Sequence, residues 1–107
     1  NGLGYDHNWV LDRKTCNDVE LAATLYEPAS GRMMEVYTDQ PGLQFYSGNF
    51  FDGNVNGKYG KPIRFREAIA LETQKFPDSP NHPNFTSTRL NPGEVYKQTC
   101  IYKFSVK

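Results

Sequence analysis

Two carboxylates are candidates for a role in chemistry and not in packing. Asp6 lies in "GYDHNWVL", and Glu72 lies in "IALETQ" at the end of an apolar run, just before the stiff polar loop "FPDSPNHPNF" at 76–85. Paired carboxylates cleave glycosidic bonds and move protons on sugars as general acids and bases. Because the chain has twelve acidic residues, this spacing alone leaves both catalysis and an ordinary solvated surface open.

The remaining reactive side chains form no pattern that predicts a metal site or a nucleophile. His7 and His82 lack HxH or HExxH spacing, and no CxxC pair is present. We therefore expect no metal, and we interpret His7 as a structural residue that helps to hold the loop. The glycines of "DGNVNGKYGK" (52–61) match neither a P-loop nor a dinucleotide fingerprint and predict a surface loop. Cys16 and Cys100 are expected to be free, buried thiols.

The sequence around these groups consists of short runs with strand character between frequent turns. Such a pattern predicts an all-β protein with an antiparallel sheet or β-sandwich. The runs are "LAATLYE" (21–27), "MMEVYT" (33–38), "LQFYSGN" (43–49), "IALETQ" (69–74) and "EVYKQTCIYKFSV" (94–106). The first two runs predict one hairpin with Ser30 and Gly31 at its tip.

Alternation along the strands assigns side chains to faces. Gln44 and Tyr46 point away from the apolar neighbours of their strand, and Glu72 and Gln74 do the same on theirs. Two strands therefore present polar groups opposite an apolar face. This indicates either an outer solvated face or a sugar-binding face, with Tyr46 as a platform and with Gln44 and Glu72 as hydrogen-bonding groups.

The last run predicts a half-buried strand, since one of its faces is largely apolar and the other is polar. The apolar face comprises Tyr96, Cys100, Tyr102, Phe104 and Val106.

Composition limits the class of protein. The 107 residues are the size of one domain, and twelve basic and twelve acidic residues cancel, which favours neither nucleic acid nor a membrane surface as partner. No apolar run approaches the ~20 residues of a membrane span, and no signal peptide is recognisable. We expect a cytoplasmic protein, with the periplasm or secretion as alternatives. Because the opening "NGLGYDHNW" lacks Met, we interpret the chain as part of something longer.

Long strings of the sequence resemble the C-terminal third of the aldose 1-epimerase (galactose mutarotase) family. They are "GYDHNWVLD", "EPASGRMMEVYTDQPGLQFYSGNFFDG" and "ALETQKFPDSPNHPNFTSTRLNPGEVYKQTCIYKFS". The resemblance implies that residues 1–107 are the C-terminal segment of a single large antiparallel β-sandwich, the supersandwich of that family. It implies interconversion of the α and β anomers of free galactose and glucose without metal or cofactor. It also implies that Glu72 is the general base and that Asp6 and Gln44 bind the sugar.

The same resemblance leaves one part of the mechanism outside this chain. The family's general acid is a histidine, assisted by a second histidine and an arginine, all N-terminal to the segment that resembles this sequence. His7 and His82 do not occupy those motifs. We therefore expect residues 1–107 to lack the catalytic histidine and to need the N-terminal portion of the same enzyme as a partner.

Three other interpretations stay open. A carbohydrate-binding module without chemistry would use the same aromatic and polar face, and a glycosidase would use the same carboxylates. A relative acting on a phosphorylated sugar would need an arginine cluster at the site. The arginines lie outside the site motifs; they are Arg13, Arg32, Arg64, Arg66 and Arg89.

Overall fold

The protein is all-β in a computed structural model that describes residues 2–107. The strands are β1 (Asp6–Val10), β2 (Glu20–Glu27), β3 (Arg32–Thr38), β4 (Gly42–Tyr46), β5 (Ala70–Gln74) and β6 (Cys100–Val106). Within the described range, helical structure is limited to two 3-10 turns, Lys58–Gly60 and Ser79–Asn81. No helix in residues 2–107 has the length and apolar character to cross a membrane.

The strands form two three-stranded antiparallel sheets, which confirms the predicted fold class. The first sheet has the order β1-β4-β5, and the second has the order β2-β3-β6. Apolar side chains from both sheets line a common groove of about 420 Å³. Its lining includes Trp9, Leu25, Leu43, Phe45 and Leu71. The two sheets therefore face each other in the manner of a sandwich, with their apolar sides inward.

The predicted hairpin is present, and its tip explains the glycine at position 31. β2 and β3 pair from Glu20 opposite Thr38 to Glu27 opposite Arg32. Gly31 has a φ of +71°, and a Cβ there would lie 2.6 Å from the carbonyl oxygen of Lys107. A side chain at this position would therefore meet both backbone strain and a steric clash.

The last predicted strand is shorter and more exposed than the sequence indicates. It begins at Cys100, because its partner β3 ends at Thr38, which is the residue opposite Cys100. Residues 94–99 have no ladder to join, so this part of the prediction is wrong. The expected half-burial is also wrong within residues 2–107, since Phe104 is 75% exposed and Val106 is 77% exposed. Cys16 and Cys100 are free, as predicted, but both are exposed rather than buried.

The link between β1 and β2 is tied to the rest of the fold by Arg13. Its guanidinium Nη1 donates to the backbone carbonyls of Thr38 and Gln40, both at 2.9 Å. Its Nη2 lies 3.6 Å from the carboxylate of Glu20. Thr38 ends β3 and Gln40 lies in the turn between β3 and β4. One side chain therefore fixes the link against the junction of the two sheets.

Candidate active site

The outer face of the first sheet collects the predicted site residues. β4 is central, with Asp6 of β1 opposite Tyr46 and with Gln44 opposite Glu72 of β5. Residues directly opposite each other in an antiparallel pair project from the same face. Asp6, Gln44 and Glu72 therefore share the face that points away from the second sheet. The alternation predicted for β4 and β5 is confirmed, and β1 contributes a third strand that the sequence did not reveal.

These side chains border an open groove of about 440 Å³. The lining residues are Asp6, Gln44, Tyr46, Phe50, Glu72, Gln74 and Pro77. Small-molecule sites occupy roughly 300–1,000 Å³, so the groove has room for a small ligand. Among the described residues, neither arginine nor lysine lines it. The groove thus combines carboxylates, amides and aromatic surface, which suits a neutral ligand rich in hydroxyl groups better than an anion.

Asp6 and Gln44 form a fixed polar pair at one side of the groove. The amide Nε2 of Gln44 donates to Asp6 Oδ1 at 2.8 Å. This bond orients the amide, so its oxygen Oε1 is directed elsewhere. Within residues 2–107, Oε1 is buried and accepts no hydrogen bond. Leaving a buried acceptor unpaired costs roughly 1–3 kcal/mol.

The sequence placed Glu72 at the end of its strand, but in the structure it lies at the middle of β5. The strand continues to Gln74 before the proline-rich loop begins. The side chain is exposed, and no hydrogen bond or ion pair to it is found in the part of the chain that the structure describes. A central strand position restricts the backbone, which favours a precisely oriented group. The backbone of Glu72 is therefore held in the strand, while its carboxylate oxygens have no partner among the described residues.

Tyr46 contributes to an aromatic platform, together with a residue that sequence reasoning missed. The hydroxyl of Tyr46 accepts a hydrogen bond from the backbone N–H of Phe50 at 2.9 Å. The two rings stack with centroids 6.3 Å apart and an interplanar angle of 14°, and Phe50 is 62% exposed. Because Phe50 follows β4 in a turn, no alternation pattern could have indicated it.

The proline-rich loop reaches the groove through Pro77. The loop is held internally, since His82 Nε2 lies 3.0 Å from Asp78 Oδ2 and its ring stacks on Phe85 at 4.8 Å. His82, and not His7 as the sequence suggested, therefore supports this loop.

His7 lies on β1 next to Asp6 but projects to the other face. Its Nδ1 accepts the N–H of Asp6 at 3.1 Å, and its ring meets Tyr5 edge-on at 6.2 Å. Neither histidine lines the groove. Residues 2–107 also contain no group of three or more His, Cys, Asp or Glu side chains arranged to hold a metal ion.

Comparison with known proteins identifies a family. Residues 1–103 match the family model described as aldose 1-epimerase. Over 103 residues the chain is 48% identical to the galactose mutarotase of Mus musculus and 47% identical to that of Homo sapiens, in both cases covering 96% of this chain. It is 38% identical to the aldose 1-epimerase of Escherichia coli (strain K12), covering 94% of this chain. The chain spans about 30% of the length of the mammalian relatives and 29% of the bacterial one.

Proposed function

The chain belongs to the aldose 1-epimerase family, and we propose that it carries the general-base side of a site that interconverts the α and β anomers of free aldoses. In this proposal Glu72 is the base, and Asp6 and Gln44 hold the hydroxyl groups of the sugar. The mammalian relatives are named galactose mutarotase, which supports galactose as a substrate, with glucose as the second aldose to test.

One observation carries the proposal. Asp6, Gln44 and Glu72 come from three neighbouring strands and line one groove on one face. The Asp6 carboxylate, oriented by the amide of Gln44, can accept hydrogen bonds from hydroxyl groups, and the carboxylate of Glu72 has no competing donor within residues 2–107. Binding groups fixed beside an unoccupied base are what proton transfer on a bound sugar requires.

The proposed reaction begins with removal of the proton from the anomeric hydroxyl by the Glu72 carboxylate. The electron pair of that O–H bond forms the carbonyl, and the bond between the anomeric carbon and the ring oxygen breaks. Its electron pair remains on the ring oxygen, which takes a proton from a general acid. The aldehyde carbon then rotates about its bond to the neighbouring carbon. The reverse transfers close the ring on either face, and both catalytic groups recover their starting protonation states.

We assign the general acid to a segment outside residues 1–107, the N-terminal portion of the same enzyme. The two histidines of this chain support that assignment by position. His7 projects from the face opposite Asp6, and His82 is engaged with Asp78 and Phe85 away from the groove. An acid from elsewhere must therefore approach the ring oxygen across the open side of the groove.

Polarimetry tests this function directly. Freshly dissolved α-galactose or α-glucose is mixed with the protein at its natural length, and the drift of optical rotation is compared with that in buffer. We expect a faster approach to the same final rotation. In parallel, a nitrophenyl galactoside tests for glycosidic cleavage, and we expect no release of nitrophenol. No acceleration of anomer exchange, or release of nitrophenol, would contradict the proposal.

A sugar-binding module without chemistry is the second candidate, and the exposed ring of Phe50 favours it. A ring that is 62% exposed beside Tyr46 offers a surface on which a sugar can stack. The two candidates differ in what Glu72 does. A binding module would show saturable sugar binding without any acceleration of mutarotation, and replacing Glu72 would change only the affinity.

A further inference from the structure

The free edge of β5 is held by side chains and not by another strand. β5 is an edge strand of the first sheet within residues 2–107, paired on one side with β4. Edge strands expose a row of backbone groups without partners. In β5, two of these groups are the carbonyls of Leu71 and Thr73, which come immediately before and after Glu72.

Both carbonyls accept hydrogen bonds from side chains, one in β6 and one in the segment that leads into it. The phenol of Tyr102 donates to the Leu71 carbonyl at 2.5 Å. The amide Nε2 of Gln98 donates to the Thr73 carbonyl at 2.7 Å and to its hydroxyl at 3.2 Å. The amide oxygen of Gln98 accepts a hydrogen bond from Tyr96, which fixes which end of the amide faces β5.

These contacts surround the catalytic candidate. On one side Glu72 is opposite Gln44 of β4, and on the other side its two neighbours in sequence are anchored by Tyr102 and Gln98. The pKa of Tyr102 is raised, first by burial and then by Cys100, and the negative charge of Glu72 adds to this effect.

We propose that Tyr102 and Gln98 are positioning residues that clamp the edge of β5 and set the direction of the Glu72 carboxylate. The proposal rests on the proposed function, since it assumes that Glu72 is the base. Neither side chain lines the groove, so both act through the backbone of Leu71 and Thr73. A displacement of about 1 Å at a reacting group can cost roughly 10²-fold in rate. Even a small movement of this edge should therefore lower the rate measurably.

Tyr102→Phe removes the donor and keeps the ring. In the protein at its natural length, we expect kcat for anomer exchange to fall about tenfold, with KM changed by less than about twofold. The sugar is bound by Asp6 and Gln44, which this change leaves in place. Gln98→Leu should act in the same direction, and the double variant should lose more than either single variant, because each anchor partly compensates for the other. Tyr26→Phe is the matched control, because Tyr26 lies on β2 and its hydroxyl has no hydrogen bond within the described residues.

A double-mutant cycle with Glu72→Gln separates positioning from general support of the fold. In the Glu72→Gln background no base remains to be positioned, so Tyr102→Phe should leave the residual rate above buffer unchanged within about twofold. An equal loss in both backgrounds would overturn the proposal and make Tyr102 a structural residue. Normal kcat in both Tyr102→Phe and Gln98→Leu, with Glu72→Gln inactive, would refute the clamp and leave the proposed function standing. Near-normal turnover of Glu72→Gln would refute the proposed function and the clamp with it.

Discussion

Two regions of this chain each centre on a glutamate, and they use it in opposite ways. At the start of β2, Glu20 accepts the N–H groups of Lys14 and Thr15 from the preceding link at 3.0 and 2.8 Å, together with the hydroxyl of Thr15 at 2.5 Å. In the groove of the first sheet, Glu72 accepts nothing from the described residues. A carboxylate whose oxygens are occupied by donors holds a loop together, whereas an unoccupied one is available to a ligand.

The surroundings of Glu20 also determine how well it can act as a base. The hydroxyl of Thr15, followed by the N–H groups of Lys14 and Thr15, lowers the pKa of Glu20 to about 2. Hydrogen bonds to the ionised form stabilise it and weaken its hold on a proton. Glu20 is therefore a poor proton acceptor as well as an occupied one. The comparison separates a structural carboxylate from a candidate catalytic one, and each of the following changes tests one side of it.

The largest expected effect is on rate, from Glu72→Gln. The change keeps the shape and hydrogen-bonding reach of the side chain but removes its basicity. Loss of a general base costs about 10²- to 10⁴-fold in rate, or roughly 3 to 5 kcal/mol of barrier. We expect kcat to fall at least about a hundredfold. The rate of anomer exchange measures this loss, and circular dichroism verifies that the fold is retained.

Glu20→Gln is the matched control for that experiment, since it makes the same chemical change in the other region. It should leave kcat within about twofold of wild type because Glu20 does not line the groove. A folded Glu72→Gln protein with near-normal turnover would remove Glu72 from the mechanism. The sugar-binding module would then be the better interpretation of the groove.

The second effect is on stability, from Arg13→Ala. The change leaves the carbonyls of Thr38 and Gln40 without their donor, and Thr38 is fully buried. Hydrogen bonds to charged groups contribute roughly 1.5–3 kcal/mol each, so we expect unfolding in urea to show a loss of about 2 to 4 kcal/mol. The kcat of the folded protein should be unaffected.

Arg13→Lys provides the control for the Arg13 prediction. Lysine keeps the charge but cannot donate in the planar geometry of a guanidinium to several carbonyls at once. Its stability should therefore lie between those of wild type and Arg13→Ala. Equal stability of wild type and Arg13→Ala would show that the link is not held by this side chain.

The third effect is on affinity, from Gln44→Ala compared with Asp6→Ala. Gln44 is expected to bind a hydroxyl that changes little during ring opening, and such uniform binding lowers KM without raising kcat. Gln44→Ala should raise KM about tenfold, the value of one hydrogen bond of about 1.4 kcal/mol. Asp6→Ala should harm KM and kcat together, because it also frees the amide of Gln44.

Steady-state kinetics on galactose separates the two parameters. A Gln44→Ala enzyme with unchanged KM and collapsed kcat would move Gln44 from binding to chemistry. That result would place a second reacting group beside Glu72 and would weaken the contrast drawn between the two glutamates.

The sequence predicted the polar face because alternation is a local property. Gln44 and Glu72 each directly follow an apolar residue in their strand. Their orientation away from the apolar face can therefore be predicted without knowing the partner strand. The roles of these residues came from resemblance to a family, since spacing alone left a solvated surface open. β1 was missed because "DHNWV" does not alternate cleanly between polar and apolar residues.

Contacts between distant residues were beyond sequence reasoning. Arg13 meets Thr38 and Gln40 across 25 and 27 positions, and Tyr102 meets Leu71 across 31. Such bonds depend on how the two sheets are placed, which no local pattern encodes. The predicted burial of the apolar face of β6 was wrong for a related reason. Alternation assigns a side chain to a face but does not say what covers that face.

The smallest expected effect is the pH dependence of stability that Glu20 contributes. Its pKa is about 2 in the folded chain against an ordinary value of 4.5, so the unfolded state binds the proton more readily. The stabilisation is therefore fully present above about pH 4.5 and is lost as the pH falls toward about 2. Because the Glu20 side chain is still 22% exposed, solvent weakens the effect. The pKa of Glu27 is lowered as well, first by the hydroxyl of Ser30, so Glu20 accounts for only part of the pH dependence of stability.

Glu20→Gln tests this contribution. The urea midpoint of unfolding should change less with pH between 4.5 and 2 in this variant than in wild type. Asp12→Asn is the matched control in the link that precedes β2, since Asp12 accepts no hydrogen bond within residues 2–107, and it should leave the slope unchanged. An identical slope in wild type and Glu20→Gln would mean that the donors around Glu20 do not stabilise its charge, and the contrast with Glu72 would then rest on geometry alone.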